Sequence, residues 1–142
     1  MENNMQIREM KAWLSRAIEI DSEIDVLIAA RDIAWNRCVS ITSSLKERVK
    51  SSGEENDSKI LKYVEFTEKI DKAINDLIIV KEEVLEKIQT LPQGNLRQVL
   101  ILRYINFYNW EKIANTLGYS YVQVCRLHKK ALELLIKGQT KE

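Results

Sequence analysis

The 142-residue sequence is poor in the two residues that most often interrupt regular structure, with only four glycines and one proline. An all-β fold needs a turn every few residues, and glycine and proline form most of those turns. The composition therefore argues against an all-β fold. With 45% hydrophobic and 30% charged residues, it favours an all-α protein built from amphipathic helices.

Long apolar runs are also missing. A helix needs roughly 18 consecutive apolar residues to cross a bilayer, and no run here approaches that length. Residues 1–4 (Met-Glu-Asn-Asn) lack the basic region and the apolar stretch that begin a secretory signal. The two cysteines, Cys38 and Cys125, lie far apart and form no CxxC pair. These absences predict a cytoplasmic protein without a membrane partner, in which both thiols stay reduced.

Net charge is nearly absent, at +1, but the charges are unevenly distributed. Residues 91–142 contain eight Lys and Arg against three Glu, whereas residues 1–90 contain 14 basic and 18 acidic residues. A basic C-terminal third attached to a mildly acidic body indicates a negatively charged partner that touches one end of the protein.

Two helical segments fill the first ninety residues. Apolar residues recur at alternating steps of three and four over residues 4–50 and again over 59–90, which is the period of an amphipathic helix. Between them, residues 51–58 are small, polar and acidic, which predicts a loop. Whether the first helix is continuous stays open, with a break near 42–44 as one alternative. Two long helices joined by a short loop fold back antiparallel, so residues 1–90 are predicted to form a coiled-coil-like helical hairpin.

The second helix of this hairpin is apolar over more than one seam. Leu61, Ala73, Ile78 and Leu85 lie beyond its heptad stripe. The additional face indicates a further packing partner, either the C-terminal domain or a second copy of the chain in a four-helix bundle. We predict a homodimer formed through the hairpin.

Residues 91–142 carry the signals of a separate helical domain. Pro92 suits the first turn of a helix, where its missing N–H costs nothing. A short apolar helix follows, and Asn109 is placed to cap a second helix over residues 110–117. In that second helix, Ile113, Ala114 and Leu117 form the inner face.

The most informative stretch is the turn after this second helix. Gly118 is free to take the left-handed conformation that commonly ends helices. Ser120 and Gln123 fit a capping box, and Tyr119 is placed to contact Val124 as a hydrophobic staple. These independent signals predict a helix, a tight glycine turn and another helix, which together form a helix-turn-helix.

The last helix has two chemically different sides. At about 100° per residue, Val124, Leu127, Ala131 and Leu135 share an inner side. The opposite side combines residues able to contact base edges with residues able to contact phosphates, as a recognition helix in a DNA major groove requires. The predicted DNA-binding residues are Ser120, Tyr121, Val122, Gln123, Cys125, Arg126, Lys129 and Lys130.

Residue patterns that carry catalysis are not found. The sequence offers no metal-ligand cluster, no glycine-rich phosphate loop and no nucleophile beside a base. His128, the only histidine, has no apparent partners in the sequence, so we expect it to pack against the preceding helix or to hydrogen-bond near a DNA backbone. We expect no enzyme, no metal and no cofactor.

The C-terminal third resembles region 4 of bacterial sigma factors. It resembles still more closely the sigma-region-4-like ArpU/RinA-type late transcription regulators of phages and prophages in Gram-positive bacteria. The tract with the most specific pattern is Gly118-Tyr119-Ser120 followed by Val124, Arg126, Leu127 and His128. Further matching residues are Leu91-Pro92, Val99-Leu100, Leu102-Arg103-Tyr104, Trp110-Glu111-Lys112-Ile113-Ala114, Leu117 and Lys130-Ala131-Leu132.

The resemblance implies a transcriptional regulator of phage or prophage genes in a bacterial host cell, which binds a promoter and engages host RNA polymerase. It also implies that the positions matching Tyr121, Val122, Gln123, Cys125 and Arg126 face DNA. Several of these carry Tyr, Val and Cys where housekeeping sigma factors have charged residues, so the resemblance does not extend to an ordinary −35 element. Nothing resembles the other DNA-binding and polymerase-binding regions of a complete sigma factor.

Two other functions stay open. Small terminase subunits of phages also join a helix-turn-helix to oligomerising helices, but they form rings and package DNA; their DNA-binding part usually comes first, whereas here it is last. The third alternative is a protein-interaction module whose helix-turn-helix no longer binds DNA.

Overall fold

The structure, a computed structural model, describes residues 2–45 and 53–140. All regular structure in these residues is α-helical, which confirms the all-α prediction. The helices are α1 (Glu2–Leu14), α2 (Arg16–Leu45), α3 (Gly53–Gln89), α4 (Gly94–Tyr104), α5 (Trp110–Leu117) and α6 (Tyr121–Thr140).

The first helical segment is interrupted at Ser15, between α1 and α2, and not near 42–44, where α2 continues. The side chain of Arg16 explains the interruption, because its Nε donates a hydrogen bond to the carbonyl oxygen of Trp13 at 3.0 Å. A side chain that inserts into the backbone hydrogen-bond ladder disturbs the helix at that turn. Arg16 also forms an ion pair with Glu83 of α3 at 2.8 Å.

The start of α3 corrects the predicted loop over residues 51–58. Residues 53–58 are helical, and 51–52 lie outside the described residues. The acidic composition that predicted a loop is equally suited to the first turns of a helix, where negative charge interacts favourably with the helix dipole.

Contacts between residues divide the chain into two compact units. We call them the terminal unit, Met1–Glu19 with Leu77–Glu142, and the middle unit, Ile20–Asp76. A domain boundary after residue 90 stays a prediction. The terminal unit includes α1 and the end of α3 because these helices share a core with α4 and α6.

The larger core of the terminal unit joins residues that are distant in sequence. Met10 and Leu14 of α1 and Val84 and Ile88 of α3 are buried with residues of α4 and α6. The members from the C-terminal helices and the segment before them are Leu91, Leu96, Leu100, Tyr104, Ala131, Leu132, Leu135 and Ile136. The inner side of α6 is therefore fixed in part by the N-terminal helix.

The middle unit pairs parts of α2 and α3 with little buried core. Among its residues whose side chains are described, only Ile24 and Ile70 are buried. Trp35 of α2 and Tyr63 of α3 are in aromatic contact, with ring centroids 5.1 Å apart. Its exposed large hydrophobic residues are Val26, Ile33, Trp35, Val39, Ile60, Leu61, Val64 and Ile74.

Candidate nucleic-acid interface

The connection between α4 and α5 is compact and held by the backbone. Phe107 has a φ of 63°, a left-handed conformation that is strained for a residue with a Cβ. The backbone N–H of Tyr108 donates to the carbonyl of Leu102 at 2.9 Å, and Arg103 donates to the carbonyl of Tyr108 at 3.0 Å. The Nζ of Lys81 lies 4.8 Å from the centre of the Phe107 ring. No sequence signal predicted this turn, since the contacts that offset its strain come from α3 and α4.

The caps of α5 are as predicted. The Oδ1 of Asn109 accepts a hydrogen bond from the backbone N–H of Lys112 at 2.8 Å. At the other end, Gly118 is left-handed, with φ 72° and ψ 30°, and its N–H donates to the carbonyl of Ala114. The N–H of Tyr119 donates to the same carbonyl at 3.0 Å, so the chain turns tightly after α5.

The start of α6 is fixed by Ser120. Its Oγ accepts a hydrogen bond from the backbone N–H of Gln123 at 3.2 Å, which is one half of the predicted capping box. Tyr119 packs against the same small core as Val124, as expected for the hydrophobic staple. That core consists of Val99, Ile113, Ala114 and Val124, and it holds α4, α5 and α6 together.

The predicted DNA-binding residues lie on one accessible surface that begins at the start of α6. Seven of the eight are exposed, and Cys125 is half-buried. The hydroxyl of Ser120 is engaged in capping the helix. The remaining residues form what we call the outer face of α6: Tyr121, Val122, Gln123, Cys125, Arg126, Lys129 and Lys130.

The outer face is positively charged. α6 contains four basic residues and a single acidic one, Glu133. Arg126, Lys129 and Lys130 are exposed, and none of them forms an ion pair with any residue that the structure describes. Because these cations are not neutralised within the protein, they are available to an anionic partner.

His128 belongs to the core and not to the outer face. Its side chain is buried, and its Nε2 shares a hydrogen bond of 2.7 Å with the hydroxyl of Tyr104. Trp110 and the imidazole pack edge to face, with ring centroids 4.7 Å apart. Burial lowers the pKa of His128 to about 4, helped by the nearby cations Lys11 and Arg103. Burial likewise raises the pKa of Tyr104 to about 12, although Arg103 opposes this shift. Both side chains are therefore neutral at pH 7.

Two further cations, Arg103 of α4 and Lys112 of α5, were not among the predicted DNA-binding residues. The guanidinium of Arg103 lies 4.6 Å from the centre of the Trp110 ring. The Nζ of Lys112 lies 4.0 Å from the centre of the Tyr108 ring. Contacts of this kind hold a cation in place without neutralising its charge. Aromatic and basic residues are interleaved over residues 103–112, but this order alone does not show which ring each cation contacts.

No group of three His, Cys, Asp or Glu side chains is arranged to hold a metal ion within the described residues. None of the helices there has the length and apolar character needed to cross a membrane. No family model, curated protein or solved structure matches this chain.

Proposed function

We propose that the protein binds double-stranded DNA and regulates transcription, with α6 as the recognition helix in the major groove. The observation that carries the proposal is the outer face of α6, where three exposed cations lie on a helix whose start is set by Gly118, Ser120 and the small core. A helix in the major groove needs this combination of a fixed angle and a free polar side.

Within this proposal the basic residues have different roles. Arg126 lies in the middle of the outer face, and it reads a base, most readily guanine, through its two-pronged donor group. Lys129 and Lys130 lie one turn further along and contact phosphate oxygens. Gln123 is placed for a hydrogen bond to a base edge, while Tyr121, Val122 and Cys125 offer less polar contacts.

The arrangement of the whole chain extends this proposal. The terminal unit carries the helix-turn-helix of α5 and α6, and the middle unit is an antiparallel hairpin that joins two copies into a homodimer. The exposed aliphatic side chains of the middle unit support the dimer, since a second copy would remove them from water. Two recognition helices related by two-fold symmetry would read half-sites about one helical turn apart.

The resemblance to sigma-region-4-like regulators supports the biological setting. We propose a non-enzymatic, cytoplasmic regulator of phage or prophage genes that binds near promoters and contacts host RNA polymerase. The divergent residues Tyr121, Val122 and Cys125 support a target other than an ordinary −35 element.

The proposal is tested by selecting high-affinity duplexes from random DNA with the full-length protein and then measuring the binding of variants. Arg126→Ala should weaken the selected site by about 1–3 kcal/mol and relax preference at one position. The double variant Lys129→Ala/Lys130→Ala should weaken binding to all sequences and flatten the dependence of log K on log salt. Lys72→Ala, at an exposed lysine of the middle unit, is the matched control.

Mapping of bound DNA across a host genome separates regulation from its alternatives. Occupancy at promoters supports the proposal, whereas ring-sized oligomers on a packaging site would identify a terminase-like subunit. The absence of affinity for any duplex at low salt would leave a protein-interaction module.

A further inference from the structure

The outer face of α6 begins with two exposed apolar side chains. Tyr121 is 55% exposed and Val122 is 57% exposed. Val122 lies four positions before Arg126, so the two side chains are neighbours along the same side of the helix. The first turn of α6 therefore carries two exposed apolar side chains, next to a surface that is otherwise polar and basic.

Folding does not account for Val122. It belongs to neither of the two core clusters of the terminal unit. A β-branched residue is also a weaker helix former than alanine, because the helix restricts its side chain. Val122 is thus a largely exposed side chain outside both cores, and its two methyl groups are available to a partner.

The charge around Val122 identifies the chemistry of its partner. Arg126, Lys129 and Lys130 favour a polyanion. With DNA as that polyanion, the partner surface combines phosphates with an apolar group. The floor of the DNA major groove meets this requirement, and the apolar group that it presents is the 5-methyl group of thymine. A purely apolar protein surface would leave the three cations without partners.

We propose that Val122 reads the 5-methyl group of a thymine. This inference rests on the proposed DNA-binding function and adds a specific base to it. Four residues of α-helix rise about 6 Å, and successive base pairs rise about 3.4 Å. Because a recognition helix lies in the groove and not along the DNA axis, the thymine lies within about two base pairs of the base that Arg126 reads.

The test compares thymine with deoxyuridine, which lacks only the 5-methyl group. A duplex selected with the full-length protein is resynthesised with each thymine replaced in turn, and the binding constants are measured by fluorescence anisotropy. Loss of one buried methyl group corresponds to about a fourfold loss of affinity. We expect this loss at one thymine in each half-site and little change at the others.

Protein variants then assign the effect to Val122. Val122→Ala should bind the thymine and deoxyuridine duplexes equally, whereas Lys129→Ala should bind both more weakly and keep the fourfold ratio. Thermal unfolding of Val122→Ala verifies that the helix is intact, as expected for an exposed position.

The possible outcomes distinguish a failure of this inference from a failure of the proposed DNA-binding function. Tight binding that is insensitive to deoxyuridine at every thymine would overturn the inference and leave the proposed function standing. Sensitivity that persists in Val122→Ala would overturn the assignment to this residue. Failure to bind any duplex would overturn the proposed function, and the inference with it.

Discussion

The buried pair of His128 and Tyr104 makes protein stability depend on pH in a defined direction. In the unfolded chain, His128 takes up a proton at its ordinary pKa of 6.5. In the folded protein, burial and the cations Lys11 and Arg103 lower that pKa to about 4. The unfolded state therefore binds more protons between these values, so the contribution of His128 is complete above pH 6.5 and is lost as the pH falls toward 4.

The expected size of this effect follows from the two pKa values. Lowering the pH from 7 to 5 should reduce the free energy of unfolding by about 2 kcal/mol, and lowering it to 4 by about 3 kcal/mol. Solvent screening reduces these two energies little, because His128 is only 7% exposed. His128 is the sole histidine, so no other imidazole contributes in this range.

Urea unfolding at half-unit steps from pH 7.5 to pH 4.5 measures the effect. His128→Gln, which is neutral at every pH, should remove most of the dependence above pH 5, and subtracting its curve corrects for the carboxylates. Lys129→Gln, an exposed substitution on the same helix, should retain the dependence of the original protein. Parallel curves for the original protein and His128→Gln would show that the imidazole is not held in its neutral form by the fold.

Three further predictions test the packing. Leu14→Ala should destabilise the protein by about 2–5 kcal/mol, because Leu14 is fully buried in the larger core; Met5→Ala, at an exposed position of the same helix, should change the unfolding free energy by less than about 0.5 kcal/mol. Gly118→Ala should lower the free energy of unfolding in urea by about 1–2 kcal/mol, because the φ of Gly118 is 72°. Gly138→Ala, inside α6 and with open space around it, should leave that free energy unchanged or raise it. Equal effects of the two substitutions would contradict the conformational argument. Sedimentation should give a mass above the 16.6 kDa of one chain, and Ile60→Lys in the exposed side of the middle unit should restore the monomer; a mass of one chain at every concentration would exclude the dimer.

The sequence predicted the C-terminal helices well because their ends are specified locally. Asn109, Gly118 and Ser120 act within four residues of their own positions, through hydrogen bonds and backbone conformations that depend little on the rest of the fold. The two sides of α6 are also a local property, since periodicity alone separates Val124 from Arg126. Signals of this kind can be read from the residues in order.

Other features depended on side-chain contacts that the residue pattern does not reveal, and they could not be predicted. The interruption at Ser15 comes from one hydrogen bond of Arg16, and a serine at that position carries no such signal by itself. The left-handed Phe107 is held by the bonds around it and by Lys81, 26 positions earlier. Periodicity showed that α1 has an apolar side, but did not show which helix covers it.

The packing of α1 changes how mutations in this protein should be interpreted. Met10 and Leu14 share a core with Leu132 and Leu135 of α6, so the N-terminal helix helps to position the helix that we propose to read DNA. Damage to α1 should therefore weaken binding to specific and random DNA together, since it disturbs the whole outer face. Loss of one contact at Arg126 should instead weaken the specific site alone. The ratio of specific to random affinity consequently separates a positioning defect from a recognition defect, and binding strength measured on one duplex does not.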